Sequence, residues 1–131
     1  MTLRVELVVP DGEVWAGQAQ MVIAKTLDGD LGVLSGHAPV LGILAAGSLV
    51  RIRPEGEGAA EVTAAVSDGF FSVSDNHVSI LARQARLGSE VDTEAAQAAL
   101  DAALADAPGQ GEEPVEARYY RAQLRAAGSG S

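Results

Sequence analysis

The residues of this chain whose types could do chemistry are few: two histidines, one lysine, a serine beside the first histidine and several acidic pairs. His37 sits in the loop Ser35-Gly36-His37-Ala38-Pro39, inside the stretch DGDLGVLSGHAPVLGIL that runs from Asp28 to Leu44. A zinc site would need His37 and His77 together with carboxylates. They lie 40 positions apart, the chain has no cysteine, and no H-E-x-x-H pair occurs. Ser35 two residues before His37 is not a nucleophile site, because there is no G-x-S-x-G elbow and neighbours within one turn rarely reach triad geometry. Lys25 lies in a strand pattern without a phosphate-binding G-x-x-x-x-G-K-[ST] loop. The pairs Asp28/Asp30 and Glu112/Glu113 fall in turn-like, solvated contexts and read as solubilising surface. No catalytic residue and no metal or cofactor site is expected. For His37 two readings stand side by side, a residue bonding its own turn and a docking contact.

Composition narrows the setting. With 131 residues and 47% hydrophobic side chains the chain suits one domain with a small appendage. Aromatics are only 4%, so the core must be built from Val, Leu, Ile and Ala. A formal net charge of −9 disfavours nucleic acid or an anionic lipid surface as the main partner. The absence of cysteine fits a reducing compartment. The opening MTLRVELVVPDG is too short in its apolar part to read as a signal peptide, and no run approaches the roughly 20 apolar residues of a spanning helix.

The elements that must position these residues show two periodicities. Through residue 88 the pattern alternates, with Leu3, Val5, Leu7 and Val9 on one face and Arg4 and Glu6 on the other. Similar runs follow at 20–26, 47–53, 61–67, 69–74 and 77–82. Asp11-Gly12, Asp28-Gly29, Asp68-Gly69 and Asp75-Asn76 supply tight turns between them, and PEGEGAA (54–60) a longer hairpin loop. This predicts an antiparallel β-sandwich or barrel over 1–88. From Val91 the period becomes helical. Ala96, Leu100 and Leu104 recur at i, i+4 and i+8, and Asp92 or Thr93 can cap the start. PGQGEEP (108–114) ends that helix. A second pattern over 115–127 places Tyr120, Leu124 and Ala127 on one face, and 128–131 reads as a flexible tail. The fold class is therefore mainly β plus α, a sandwich followed by a two-helix hairpin over 89–127. Helices this short, with alanine stripes, are marginal alone and must lean on the sandwich or on a partner.

On the second helix Arg118, Arg121 and Arg125 fall at i, i+3 and i+7 and form one stripe. Glu112, Glu113 and Glu116 near its start and the arginines towards its end follow the helix dipole. The stripe reads either as a solvated helix end paired with the chain's own acids, or as a contact for an acidic protein or a nucleotide phosphate.

Taken together these motifs resemble the epsilon subunit of bacterial F-type ATP synthase. DGDLGVLSGHAPVLGIL is similar to that family's E-G-E-x-G-x-x-x-G-H-A-P-L-L segment, with Asp for Glu. SDGFFSVSDNHVSILA resembles its paired strands, and GSEVDTEAAQAAL the start of its first carboxy-terminal helix. The resemblance spans residues 3 to 127. It implies a non-catalytic central-stalk subunit that couples rotation of the proton ring to ATP synthesis and, through the hairpin, restrains ATP hydrolysis. By that analogy Asp28, Gly29 and Asp30 face the loops of the membrane proton ring, and Gly36, His37, Ala38 and Pro39 lie on the side shared with the gamma subunit. Arg118, Arg121 and Arg125 meet an acidic segment of the catalytic beta subunit when the hairpin is extended. The implied location is the cytoplasmic face of the bacterial membrane, peripheral and without insertion. Some members bind ATP through a hydrophobic-Asp-x-x-Arg-Ala motif. Here it reads Val91-Asp92-Thr93-Glu94-Ala95-Ala96, so Ala95 replaces the arginine, only Asp92 remains as a nucleotide contact, and weak ATP binding at most is expected. A different class stays open, a free-standing β-sandwich binding module with a basic helical tail.

Overall fold

The computed structural model describes residues 2–106 and 113–129, with side chains to residue 128. Nine strands form the first part: β1 Leu3–Val9, β2 Gly12–Thr26, β3 Gly29–Leu34, β4 Val40–Leu44, β5 Ser48–Pro54, β6 Val62–Val66, β7 Gly69–Ser74, β8 His77–Ala82 and β9 Ala85–Leu87. A 3-10 turn, Gly88–Glu90, leads to helices α1, Thr93–Ala105, and α2, Val115–Ser129. The strand order is β1-β8-β7-β4-β2-β5-β6-β9, with β3 added on β2 and β1 also pairing β2. β1 and β8 run parallel and every other pair antiparallel. The first half of β2 pairs with β1 and its second half with β3 and β5, so this one long strand serves both layers.

Alternation decides what lies between the layers. Leu3, Val5 and Leu7 of β1 meet Val22 and Ala24 of β2, Val50 and Ile52 of β5, Ala64 and Val66 of β6, and Phe71, Val73, Val78 and Ile80 of β7 and β8 in one buried core. Phe71 is the only aromatic fully buried there. Gly42, its cross-strand partner, leaves it room, since a Cβ at that position would stand 2.4 Å from the ring.

The sandwich and helical hairpin follow the pattern read from the sequence, with some differences. β2 begins at Gly12, not near residue 20; Gly12–Gly17 is exposed or half-buried throughout and shows no alternation that would mark it as strand. The stretch from Asp28 to Leu44 holds two strands, β3 and β4, and β9 is a further short strand. Asp92 caps α1, its Oδ1 accepting the Ala95 N–H at 3.1 Å. Ala96 and Leu100 are buried, while Leu104 at the end of the stripe is 38% exposed.

On α2 the deeply buried residues are Ala117, Tyr119, Ala122, Gln123 and Ala126, with Tyr120, Leu124 and Ala127 only half-buried. The helix packs on α1 on one side and on β5, β6 and the 3-10 turn on another, so a single stripe cannot describe it. α2 also runs to Ser129, two residues into the expected tail, which leaves no basic residue in its last turn. Of the inter-helix stretch 108–114, and of the Glu112/Glu113 pair, only Glu113 and Pro114 lie within the described residues.

Candidate functional site

β4, β7, β8 and β1 lie side by side, and their outward side chains form rows across the sheet. Ile43 pairs with Phe70, Phe70 with Leu81, and Leu81 with Val8. Ile43, Phe70 and Leu81 are each just over half exposed, and Leu41 beside them is 73% exposed. An apolar row across four strands that no described element covers is not what a sheet facing only water needs. The next row is Leu41, Ser72, Ser79 and Glu6, and the last carries Ser74, His77 and Arg4. His77 Nε2 lies 2.5 Å from Glu6 Oε1, and Ser79 Oγ–H also points to that oxygen at 3.5 Å. The face thus grades from apolar to charged.

The Ser35–Pro39 loop adjoins its charged end. The Asn76 side-chain oxygen accepts the Gly36 N–H at 2.7 Å and the Ser35 hydroxyl at 3.4 Å. His37 Nδ1 lies 2.7 Å from the Ala38 carbonyl oxygen, which can only accept, so Nδ1 carries the hydrogen. The His37 N–H donates to the Leu34 carbonyl at 3.1 Å. His37 therefore bonds its own turn, and Ser35 bonds Asn76 instead of the imidazole, so these two do not form a nucleophile pair. Gly36, Ala38 and Pro39 are exposed. Among the described residues no cluster of His, Asp or Glu could hold a metal ion.

Asp28, Gly29 and Asp30 make the exposed tip of the β2–β3 hairpin. Thr26 Oγ accepts the Asp28 N–H at 3.1 Å and donates to the Gly29 carbonyl at 2.8 Å, which fixes the tip from below. Leu27 beside it is 68% exposed. The tip also adjoins the start of β4, Val40 to Gly42, so it and the Ser35–Pro39 loop flank one strand.

The arginine stripe lies elsewhere. Arg118, Arg121 and Arg125 line a groove of about 400 Å³ between α2 and the β4–β5 turn, together with Lys25, Leu27 and Glu113. Arg121 pairs with Glu113 at 2.5 Å, and Arg125 Nη2 donates to the Gly47 carbonyl at 3.5 Å. Each of the three arginines has a partner within the chain.

α2 covers the outer face of the other layer. Ala65 of β6 packs with Tyr119, Ala122 and Ala126. Thr63 Oγ–H donates to the Ala126 carbonyl at 3.1 Å in a buried bond. The approach is backbone to backbone in two places, since a Cβ on Gly88 would stand 2.4 Å from the Ala126 carbonyl oxygen and one on Gly47 2.4 Å from Arg118. Burial pushes the Tyr119 hydroxyl pKa up, and the Arg86 guanidinium beside it partly offsets this. Asp92 is occupied as a cap, Ala95 is exposed, and α1 carries no basic residue. Nothing on α1 supplies the missing guanidinium.

Residues 2–88 match the family model for the β-sandwich domain of the ATP synthase delta/epsilon chain. A chain named ATP synthase epsilon chain, from Thermobifida fusca, is 49% identical over 126 residues, 95% of this chain and 91% of that one. This chain belongs to the ATP synthase epsilon family. Another epsilon chain, from Frankia casuarinae, is 53% identical over 87 residues, which is 66% of this chain and 99% of its own length. Among solved structures, a chain of the Euglena gracilis mitochondrial ATP synthase superposes with a TM-score of 0.77 at 24% identity, covering 96% of this chain and 81% of that one. A chain of the Tetrahymena thermophila central stalk and c-ring gives 0.59 at 17% identity, covering 97% and 91%. Both share the sandwich followed by helices. As an epsilon chain the protein is a non-catalytic subunit of ATP synthase. Among the described residues no helix is long and apolar enough to cross a membrane.

Sequence reasoning missed the apolar row and the Gly47/Gly88 seam. The row had a signal: Ile43-Leu44, Phe70-Phe71 and Ile80-Leu81 are adjacent apolar pairs, which on a strand mean that both faces are apolar. The seam had none, because a glycine that permits close approach looks like any turn glycine.

Proposed function

We propose that this epsilon chain docks on the gamma subunit through the outer face of β4, β7, β8 and β1 and the adjoining Gly36-His37-Ala38-Pro39 loop. The observation that carries the reading is the bare row Ile43, Phe70, Leu81 and Val8, on the side of the sandwich away from α2. Such an apolar centre, with Glu6, His77 and Arg4 at its rim, has the anatomy of a stable protein interface. The membership of the family selects the partner. Both similar structures come from assemblies that include a c-ring.

The exposed Asp28-Gly29-Asp30 tip then contacts the loops of the membrane proton ring. The chain sits peripherally at the cytoplasmic face of the bacterial membrane and couples ring rotation to ATP synthesis. Residues 1–88 act as the assembly unit and the hairpin over 89–127 as the regulatory one. The Frankia match supports this division, because a relative used up to 99% by an 87-residue alignment has no length left for a hairpin. When the hairpin leaves the sandwich, Arg118, Arg121 and Arg125 become available to an acidic segment of the catalytic beta subunit, restraining hydrolysis.

The test is Phe70→Lys in the full chain, which places a charge at the centre of the row. Binding to the cognate gamma subunit should be lost in a pull-down, while removal of residues 89–131 should leave it intact. Retained binding by Phe70→Lys would refute the assigned face, and loss on truncation would move the interface to the hairpin.

A further inference from the structure

Asn76 occupies the second central position of the tight β7–β8 turn, with φ of +63° after Asp75 at +51°. Glycine adopts such a backbone with the least strain and asparagine tolerates it, so the turn alone does not require this side chain. Its carboxamide reaches out of the turn instead. The Oδ1 atom accepts from the Gly36 N–H at 2.7 Å and from the Ser35 hydroxyl at 3.4 Å, across 40 positions of sequence. The Asn76 carbonyl accepts the Arg4 N–H at 2.8 Å. One residue therefore ties the Ser35–Pro39 loop, the β7–β8 turn and the start of β1 into a single rim. The loop's other bonds, His37 N–H to Leu34 and His37 Nδ1–H to Ala38, are local and shape it without anchoring it to the sheet face.

We infer that Asn76 is the positioning residue of the docking loop, holding Gly36 to Pro39 in register with the apolar row before gamma binds. The inference rests on the docking face proposed above. A loop already ordered loses less conformational freedom on association, so the tether acts on affinity without touching the partner.

Two variants separate the carboxamide's acceptor from the turn. Asn76→Gly keeps the backbone conformation and removes Oδ1; Asn76→Asp keeps an acceptor in the same place. The full chain is titrated with its cognate gamma subunit, and hydrogen exchange of the Gly36 amide is followed in the free chain. Asn76→Gly should speed Gly36 exchange and weaken gamma binding about tenfold, the order expected when one ordering hydrogen bond is lost. Asn76→Asp should restore both, and both variants should still unfold cooperatively. A residue serving only turn stability would shift the melting temperature of Asn76→Asp and Asn76→Gly without separating them in affinity. Wild-type affinity for Asn76→Gly, with Phe70→Lys inactive, would overturn the positioning role and leave the docking face standing. Wild-type affinity for both would overturn the docking face as well.

Discussion

Placing a methyl group at Gly88 should release the hairpin. The glycine is not in the left-handed region, so alanine meets no backbone penalty there, and the perturbation is one of space alone. The new Cβ would stand 2.4 Å from the Ala126 carbonyl oxygen and 2.8 Å from Thr63 Oγ. Both of those atoms belong to the buried bond that closes the seam. Neither can retreat cheaply, since one is helix backbone and the other sits on β6. Overpacking of this kind costs ~1–3 kcal/mol, and loss of the hydrogen bond about 1 kcal/mol more. The interface of Ala65, Ala122 and Ala126 around Tyr119, with Leu49 and Tyr120 at its edge, is a small cluster against which to set that cost. The ratio of docked to released hairpin should fall by roughly 5- to 150-fold for the steric part alone.

Hydrogen exchange along α2 measures this directly. Amides of 115–129 should exchange faster in Gly88→Ala, while those of β1, β7 and β8 stay protected and gamma binding is unchanged. Gly128→Ala is the matched control: the same methyl, placed on α2 itself, with nothing within 4 Å. It should slow exchange slightly, alanine being the better helix former. In the assembled enzyme, Gly88→Ala should lower ATP hydrolysis by populating the extended hairpin. Identical α2 exchange in Gly88→Ala and wild type would refute the seam as the element that holds the hairpin down.

Tyr119 gives a pH prediction. Its pKa is raised in the folded chain, so its contribution to docking is complete below the unfolded value near 10 and is lost as pH rises further; the protection of the α2 amides relative to their intrinsic, base-catalysed exchange should fall in alkali, and Tyr119→Phe should remove that fall. Ala95→Arg should strengthen ATP binding measured by calorimetry if the rest of the family's nucleotide site is intact, whereas micromolar affinity in the wild type would show that other ligands serve. Replacing Arg118, Arg121 and Arg125 together by alanine should raise hydrolysis in the reconstituted complex with gamma binding unchanged; equal rates at low salt would leave the stripe as solvated surface.

The parts of this molecule that could be read from its sequence are those where one physical constraint acts alone. β1 alternates strictly because one face is core and the other is not, and Asp92 could be placed as a cap because capping depends on only three residues of chain. Gly12–Gly17 in β2 was hidden because neither side is fully buried. On α2 the stripe of Tyr120, Leu124 and Ala127 is half-buried, with Tyr120 packed against the buried cluster, while the deepest positions lie beside it. The helix buries two sides, and on the sheet side its backbone comes closest at Arg118 and Ala126, opposite Gly47 and Gly88, where periodicity of apolar residues gives no signal. The His37 loop was recognisable by its residues, but its tether to Asn76 joins positions that no local pattern connects.

On the proposed reading the arginine stripe has partners in both positions of the hairpin, and this bears on how the switch is balanced. Docked, Arg125 reaches the Gly47 carbonyl of the sandwich, whereas Arg121, half exposed, pairs with Glu113 of the hairpin itself, a contact that release need not break. Exposed pairs of this kind contribute about 0–1 kcal/mol. Against an acidic segment in a desolvated contact, each charge-assisted bond is worth ~1.5–3 kcal/mol. The stripe therefore favours the extended state by the difference, even though it stabilises the docked one slightly. The seam works in the opposite direction: Gly47 and Gly88 let α2 approach the sandwich to backbone contact, and Thr63 adds a buried bond that is lost on release. Because the two terms oppose each other, their difference sets the balance between docked and extended hairpin, and a change in either contact shifts it. The apolar row proposed to face gamma lies on the other layer and enters neither term, so on this reading assembly can stay constant while the hairpin changes position.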